Sequence, residues 1–291
     1  MKKDQMTPGR RALLRGAAVF GLAATAGCAG TAGSGAGAPD VSGSGIPSGA
    51  ADGGVAAGGA PAARPLKASA YRLQPMAGSG PAGAPRTRPR VRKEPILRMD
   101  GQGRSMVLTF DDGPDPRYTP GILRTLRRYD VRAMFFVCGE MAVDNKDLLR
   151  EMADDGHLIG NHTWTHPLLP KMSRSAMREE IERTCEVVED AVGEPPAWFR
   201  APYGAWNRNA FQLGADLGME PLAWTVDTLD WTEPGTRTII RRVRAGAGPG
   251  VVVLSHDAGG DRSQSVEALR TYLPELIDSG YRISLPSRYG I

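Results

Sequence analysis

From residue 105 onward, short apolar stretches alternate with longer stretches whose apolar residues recur at helical spacing. The predicted strands are 106–110, 133–137, 157–160, 197–200, 221–226, 251–254 and 281–285. The predicted helices are 120–129, 146–154, 173–192, 207–217, 236–245 and 265–279. Parallel strands need crossover connections, and a helix is the usual crossover. We therefore expect an α/β fold whose parallel sheet is closed, or nearly closed, into a barrel.

The first 28 residues have the pattern of an export signal. The run GRRALLR at 9–15 resembles the twin-arginine signal, and the apolar run 17–26 is too short to be a stable membrane anchor. Residues 25–28, TAGC, resemble a lipoprotein processing site with Cys28 as the lipidated residue, although Thr25 stands where such sites usually carry Leu. The alternative is an ordinary cleaved secretory signal with an incidental cysteine.

Residues 29–98 are predicted to be a disordered tether. Gly, Ala, Ser and Pro dominate residues 29–85, and such a composition cannot bury enough apolar surface to offset the entropy of ordering. The tether ends in a basic run, RTRPRVRK at 86–93. This run either lies against an anionic membrane or wall polymer or is a solvated linker. The folded domain is predicted at 99–291.

The tether and the folded domain differ in charge. Residues 1–98 contain 14 Lys and Arg against 4 Asp and Glu, whereas residues 99–291 contain 22 against 28. The basic isoelectric point of the whole chain therefore comes from the signal and the tether, and the folded domain is acidic. This argues against nucleic acid as a partner, because nucleic acid requires a basic binding face.

Five short motifs contain the candidate catalytic and metal-ligating residues. They are TFDDGP at 109–114, HTWTH at 162–166, RAPYG at 200–204, DTLDW at 227–231 and LSH at 254–256. Three of the four histidines in the chain fall in these motifs. Each motif follows or ends a predicted strand. All five should therefore meet at the carboxyl ends of the strands, where barrel folds place their active sites.

The histidine pair and the aspartate pair point to a catalytic metal. His162 and His166 are four residues apart, so on a helical turn their imidazoles would point the same way. With one carboxylate they form a three-ligand site that leaves positions for water and substrate. If the chain stays extended, the side chains of Asp111 and Asp112 diverge, so one can bind metal while the other faces the attacking water. The alternatives are a surface or core histidine pair and a plain Asp-Gly turn.

Together, the five motifs resemble those of the polysaccharide deacetylases, the carbohydrate esterase family built on the NodB homology domain. The resemblance covers residues 104–286, and the motifs occur in the family's order without a substitution at a functional position. Residues 251–285 also resemble the family's C-terminal end. The resemblance implies a distorted TIM-like (β/α) barrel of seven or eight parallel strands.

The resemblance assigns the metal and the base. It implies that Asp112, His162 and His166 bind a divalent metal, most often Zn²⁺ and sometimes Co²⁺ or Ni²⁺. It makes Asp111 the general base for the attacking water. Arg200 then pairs with Asp111 and holds it in place; the alternative is a purely structural ion pair.

The resemblance also assigns the acid and the substrate pocket. His256 is the general acid that protonates the departing amine, and Asp230 orients His256 and supports its charged form. The backbone amide of Tyr203 helps to bind the oxyanion. Trp231 and Leu254 shape the pocket for the acetyl methyl group, although both are equally well explained as packing residues.

Four further residues lack a catalytic assignment. His157 is expected to be a hydrogen-bonded structural histidine rather than a ligand. Asp227 is expected to support the metal ligands or its own loop. Cys138 and Cys185 are expected to be buried free thiols rather than a disulfide, because they come from separate core elements.

The functional expectation is a metal-dependent hydrolase that removes N-acetyl groups from a polysaccharide containing N-acetylglucosamine. Peptidoglycan is the first choice for a surface-tethered enzyme, followed by chitin-type oligosaccharides or an exopolysaccharide. The alternatives are an O-acetyl esterase on acetylated xylan and a non-catalytic surface lipoprotein that binds carbohydrate. The expected location is the outer face of the cell membrane or the cell wall, through the lipid anchor, or outside the cell. No protein partner is evident.

The anchor prediction can be tested with Cys28→Ala. Because the acyl chains would be attached to this thiol, we expect the variant to leave the membrane fraction and appear in the soluble fraction. Fractionation followed by immunoblotting measures this. Membrane retention of the variant would instead make the uncleaved signal the anchor.

Overall fold

The computed structural model describes residues 88–99 and 103–286 of the chain. The export signal, Cys28 and most of the predicted tether lie outside the described residues, so those assignments stay predictions. Within the described ranges, no helix has both the length and the apolar character needed to cross a membrane.

Strands and helices alternate through the described part of the chain, as predicted. The strands are β1 (Ser105–Asp111), β2 (Met134–Val137), β3 (Leu158–Asn161), β4 (Trp198–Phe199), β5 (Glu220–Pro221), β6 (Val226–Asp227), β7 (Val252–His256) and β8 (Arg282–Ile283). The helices are α1 (Thr119–Arg128), α2 (Gly139–Asp144), α3 (Lys146–Asp154), α4 (Arg174–Val192), α5 (Arg208–Asp216), α6 (Thr236–Gly246) and α7 (Ser263–Asp278).

The strands form one parallel sheet in the order β5-β4-β3-β2-β1-β7-β6, with β8 beside β1. β1 therefore lies at the centre, paired with β2, β7 and β8. The predicted parallel sheet is confirmed, and its strand order, which is open between β5 and β6, fits the predicted distorted (β/α) barrel. Because all strands run the same way, their carboxyl ends share one edge.

Apolar side chains fill both faces of the sheet. Every residue of β1 is buried, because alternate side chains face opposite sides. Met106, Leu108 and Phe110 belong to the cluster that packs under the helices, whereas Val107 belongs to the cluster inside the barrel. The strand ends that carry the motifs are therefore held between two packed layers.

Local signals set the limits of the longest helix. The Ser173 hydroxyl accepts a hydrogen bond from the Ala176 N–H at 3.2 Å at the start of α4. Gly193 ends the helix with φ of 85°, a left-handed conformation that glycine adopts without steric cost. The sequence predicted this N-cap.

Two elements of the structure differ from the prediction. The predicted strand 221–226 is two short strands, β5 and β6, which lie at opposite edges of the sheet order. The chain between them crosses the gap in the barrel, and its local apolar pattern does not show this bend. Helix α2 was not predicted, because six residues with few apolar positions give little periodic signal.

The predicted limit between tether and domain is wrong for the last residues of the tether. Ile96 donates to the Pro221 carbonyl at 2.9 Å and accepts from the Ala223 N–H at 2.8 Å, while Met99 donates to Gly250. Ile96 and Met99 are buried in the cluster inside the barrel. This segment thus covers the gap between β5 and β6. Its packing was not predicted, because a few apolar residues after a basic run give no periodic signal.

The contribution of this segment can be measured with Ile96→Ala. Because Ile96 is 7% exposed, we expect the free energy of unfolding to fall by about 2–5 kcal/mol. Leu97→Ala is the matched control, since Leu97 is 53% exposed and a change within about 0.5 kcal/mol is expected there. Chemical denaturation of both variants gives the comparison. Equal losses would show that the segment does not pack as described.

Candidate metal and hydrolase site

One cleft of about 570 Å³ opens at the carboxyl ends of the strands. Its volume lies within the range of small-molecule sites. Eight of the ten predicted site residues in the described part of the chain line it: Asp111, Asp112, His162, His166, Tyr203, Trp231, Leu254 and His256. The other two, Arg200 and Asp230, are buried behind it and bond to lining residues. The expectation that the motifs meet at this edge is confirmed.

Asp112, His162 and His166 form the metal-ligand set found in the described residues. One ligand atom from each lies within 4.8 Å of the others. Asp112 Oδ1 is 3.5 Å from Nε2 of His162 and 3.5 Å from Nε2 of His166. This oxygen is buried and has no hydrogen-bond partner among the described residues. A divalent cation between the three side chains would satisfy it, so the residues fit a metal.

His162 is held in the form that a metal requires. Its Nδ1 lies 2.8 Å from the Arg200 carbonyl oxygen, and only a protonated Nδ1 can donate to a carbonyl. The lone pair of the neutral ring is then on Nε2, which faces Asp112. Burial lowers the pKa of His162 to about 3, more than the charge of Asp112 raises it, so the ring is neutral near pH 7.

The backbone around the ligands differs from the helical turn expected for the histidine pair and from the extended chain considered for the aspartate pair. His162 and His166 lie in a loop after β3 rather than on a helical turn, with φ of 70° at Thr163 and 56° at His166. Asp112 has φ of 76°, so the chain does not stay extended after Asp111. Left-handed residues are rare outside glycine, and periodicity in the sequence does not report them.

The same backbone turn brings Asp111 close to the metal ligands. Asp111 Oδ2 is 3.6 Å from His162 Nε2, while its Oδ1 accepts from Arg200 Nη1 at 2.6 Å. The predicted pairing of Arg200 with Asp111 is therefore present. Burial raises the pKa of Asp111, and the charge of Arg200 opposes part of this rise. The two neighbouring carboxylates thus differ in environment, one bonded to a guanidinium and one open to a cation.

His256 and Asp230 form the second pair on the cleft. Asp230 Oδ1 lies 2.6 Å from His256 Nδ1, and Oδ2 accepts from the His256 backbone N–H at 2.9 Å. Ser265, which was not predicted, donates to the same Oδ2 at 2.6 Å. Burial lowers the pKa of His256, but the hydrogen bond and charge of Asp230 outweigh it and raise the pKa to about 9. For Asp230 burial raises the pKa, and its bonds to His256 and Ser265 bring it below the usual value.

The three predicted pocket residues line the same cleft as the metal ligands. Tyr203 has a left-handed backbone, with φ of 61°, and its ring lies 4.5 Å from the His166 ring. Leu254 is buried in the middle of β7, whereas Trp231 is 55% exposed. Trp224 also lines the cleft and was not predicted.

Asp257 is a site residue that the motif analysis did not identify. It is fully buried, and its Oδ1 accepts from the Gly113 N–H at 3.1 Å while its Oδ2 accepts from the Thr119 hydroxyl. Burial, followed by the charges of Asp112 and Asp111, raises its pKa to about 7. Asp257 therefore holds the turn after β1. A carboxylate directly after His256 in an apolar strand end was the available signal.

The residues without a catalytic assignment are structural. His157 Nδ1 accepts from the Ala133 N–H at 3.2 Å, and burial lowers its pKa to about 4, which confirms the structural prediction. Asp227 accepts from the Leu229 N–H at 2.8 Å and so supports its own loop, while also lining the cleft. Cys138 and Cys185 are buried and free, as predicted.

Comparisons with known proteins agree with this geometry. A sequence profile described as "Polysaccharide deacetylase" matches residues 98–222. A chitooligosaccharide deacetylase from Rhizobium leguminosarum bv. trifolii is 36% identical over 208 residues, which cover 67% of this chain and 97% of the relative.

Two solved structures show the same fold. A peptidoglycan N-acetylglucosamine deacetylase has a TM-score of 0.63 at 35% identity, over 65% of this chain and 89% of that chain. A carbohydrate esterase family 4 pseudoenzyme from Bacillus anthracis has a TM-score of 0.62 at 30% identity, over 66% of this chain and 67% of that chain. The barrel, the motif order and these similarities lead to one assignment: this chain belongs to the polysaccharide deacetylase family.

Proposed function

We propose that this protein is a metal-dependent hydrolase that removes N-acetyl groups from a polysaccharide containing N-acetylglucosamine. The observation that carries the proposal is the meeting of three groups in one cleft: the Asp112–His162–His166 set, the Asp111 carboxylate and the His256 imidazole. Peptidoglycan is the first candidate polymer, with chitin-type oligosaccharides and exopolysaccharides next. The peptidoglycan and chitooligosaccharide deacetylases among the similar proteins support this substrate class.

Asp112, His162 and His166 would hold the metal. Two imidazoles and one carboxylate suit Zn²⁺ first, and also Co²⁺ or Ni²⁺. When bound, such an ion would polarise the scissile carbonyl and acidify the attacking water.

Asp111 acts as the general base in this proposal. Its Oδ1 is occupied by Arg200, so Oδ2, on the side of the metal ligands, is the oxygen that takes the proton. Arg200 keeps the carboxylate in one orientation, since its own guanidinium is fully buried and bonded to Thr109 as well. A raised pKa makes Asp111 a stronger base than an exposed aspartate.

His256 acts as the general acid. The bond from its Nδ1 to Asp230 leaves Nε2 to carry a proton toward the cleft. An amine leaves poorly unless it is protonated, and a pKa of about 9 keeps the imidazole charged near neutral pH. Asp230 orients His256 and stabilises its charged form.

The remaining residues bind the reacting acetyl group. The backbone amide of Tyr203 would donate to the oxyanion. Stabilisation of the oxyanion is often the largest electrostatic contribution to catalysis. Leu254 and Trp231 would enclose the acetyl methyl group. The left-handed backbone at Tyr203 supports a specialised orientation of this peptide group.

Two competing functions use the same cleft. An O-acetyl esterase on acetylated xylan would depend less on protonation of the leaving group by His256, because an alkoxide leaves more readily than an unprotonated amine. A non-catalytic carbohydrate-binding protein is the other, and the Bacillus anthracis pseudoenzyme shows that the fold alone does not ensure activity. The presence of base, acid, their partners and the metal-ligand set favours catalysis here.

We also propose that the enzyme is exported and held on the outer face of the membrane through Cys28. The proposal is supported by the twin-arginine and lipoprotein patterns of the first 28 residues. A surface location would bring the cleft to wall or surface polymers.

Acetate release tests the function. The purified protein, loaded with Zn²⁺, would be offered N-acetylglucosamine pentamer, peptidoglycan and acetylxylan in parallel. We expect release from an N-acetylated substrate that chelation abolishes and Zn²⁺ restores. Release from acetylxylan alone would make the protein an esterase. Polymer binding that survives chelation, without acetate from any substrate, would favour the binding-protein alternative.

Asp111→Asn and His162→Ala distinguish the role of general base from the role of metal ligand. Because Asp111 is not in the ligand set, its variant should keep the metal while kcat falls by about 10²–10⁴-fold. His162→Ala should lose the metal, since it removes one of three ligands. Metal content by atomic absorption and acetate release are the measurements. Full activity in Asp111→Asn, or unchanged metal in His162→Ala, would contradict the respective role.

Asp230→Asn tests the charge on His256. Loss of the carboxylate leaves burial unopposed, so the pKa of His256 should fall from about 9 toward or below 6.5. The alkaline limb of the pH–rate profile should move to lower pH with it. In the natural chain the stabilisation from this pair is complete below about pH 6.5 and is lost as pH rises through about 9.

Ser265→Ala is the matched control for this change, because it removes one hydrogen bond to Asp230 and no charge. Its alkaline limb should move less than that of Asp230→Asn. An unmoved limb in Asp230→Asn would contradict the role of His256 as the acid.

A further inference from the structure

The loop between the two histidine ligands has a conformation that its own residues do not favour. Thr163 and His166 both have positive φ, and a β-branched residue such as Thr163 rarely adopts this region. Such a loop persists only when surrounding groups determine it. The position of His166 therefore depends on partners outside the loop.

We propose that Glu180, on helix α4, is a positioning residue that holds this loop and thereby sets the metal affinity of the site. The inference rests on the proposed function, because it takes His162 and His166 as metal ligands. Glu180 belongs to none of the five motifs and does not line the cleft. It acts through the loop and not on the metal.

Glu180 makes three hydrogen bonds to the loop. Its Oε2 accepts from the Trp164 N–H at 2.9 Å and from the Thr165 N–H at 2.8 Å. Its Oε1 accepts from the Thr165 hydroxyl at 2.9 Å. One carboxylate thus satisfies both backbone donors that directly precede His166.

The opposite side of the loop is held by helix α2. The N–H groups of Gly139 and Glu140 donate to the carbonyls of Thr163 and Trp164 at 2.9 and 3.2 Å. Asn161 accepts from the remaining N–H, that of Thr163, at 2.9 Å. Every backbone N–H from Thr163 to Thr165 therefore has an acceptor, and Glu180 supplies two of the three.

Packing of the Trp164 ring fixes the same loop. The ring lies so close to Gly139 that a Cβ there would overlap it, and the Arg183 guanidinium lies 3.9 Å from the ring centroid. Arg183 and Glu180 both come from α4. This helix therefore contacts both the Trp164 ring and the backbone of the loop. Without Glu180, the ring would still be packed, but the peptide groups leading to His166 would lose their acceptor.

Metal affinity is sensitive to this geometry. The Nε2 of His166 lies 3.5 Å from Asp112 Oδ1 on the far side of the site, and a cation must contact both. Removing a group that hydrogen-bonds a metal ligand commonly costs about 10–100-fold in metal affinity, and Glu180 acts on His166 through the two peptide groups before it. Loss of Glu180 should therefore appear as weaker metal binding before any loss of fold.

Binding of Co²⁺ by the full-length chain tests the proposal. Chelator competition gives the dissociation constant, and the visible absorption of Co²⁺ reports the ligand geometry. Glu180→Ala should weaken Co²⁺ binding by about tenfold or more and change the spectrum. Glu180→Asp should do the same, because it keeps the charge but is one methylene shorter. The aspartate variant also keeps the test decisive if Glu180→Ala does not fold.

Glu180→Gln is the rescue variant. Its amide oxygen can accept both N–H groups while its NH₂ donates to the Thr165 hydroxyl, so affinity should stay within about threefold. Glu179→Ala is the matched control, because Glu179 is the exposed neighbour on the same helix, and it should not change binding.

Four outcomes would overturn or separate the claims. If Glu180→Ala or Glu180→Asp binds Co²⁺ as tightly as the natural chain does, the positioning role of Glu180 is overturned. A loss in Glu180→Gln as large as in Glu180→Ala would mean that the negative charge matters, not the hydrogen-bond geometry. If the natural chain binds no Co²⁺, the metal site itself is wrong and the Glu180 role with it. Metal binding without acetate release from any substrate would overturn only the deacetylase function.

Discussion

The buried guanidinium of Arg200 is the interaction on which the rest of the site depends. It donates to Thr109 and Asp111 on β1 and to two carbonyls in the chain that crosses between β5 and β6. A charge with no exposed surface is tolerated only with such partners, and breaking a buried pair commonly costs about 3–5 kcal/mol. The backbone carbonyl of the same residue accepts from His162. One residue therefore orients the proposed base, fixes a metal ligand and connects the two sides of the barrel.

Around Arg200, the proposed chemistry depends on the different surroundings of side chains of the same type, two aspartates and two histidines. Asp111 and Asp112 are consecutive, yet one bonds to a guanidinium and the other has a buried oxygen with no partner among the described residues. His162 is kept neutral by burial, whereas His256 is kept charged by Asp230. The proposed ligand, base and acid thus come from two residue types, and neighbouring side chains decide which role each can take.

The family fold positions these groups but does not by itself make an enzyme. The solved pseudoenzyme from Bacillus anthracis has a similar fold at 30% identity. In this chain, eight of the ten predicted site residues in the described part of the chain line one cleft, and the other two, Arg200 and Asp230, are buried behind it. Motif order predicted the cleft correctly, because each motif ends a strand and parallel strands end at one edge. Local propensity predicted most helices to within a few residues, including the Ser173 cap of α4.

The sequence by itself determined the alternation of strands and helices, the motif positions and the resemblance to the family, since these depend on residues close together in the chain. Only the tertiary structure decided the left-handed His162–His166 loop, the split of strand 221–226 and the burial of Ile96. It alone placed Glu180 on that loop and Asp257 under the turn after β1. Their partners lie 15 or more residues away, and such contacts form only when separate elements pack together.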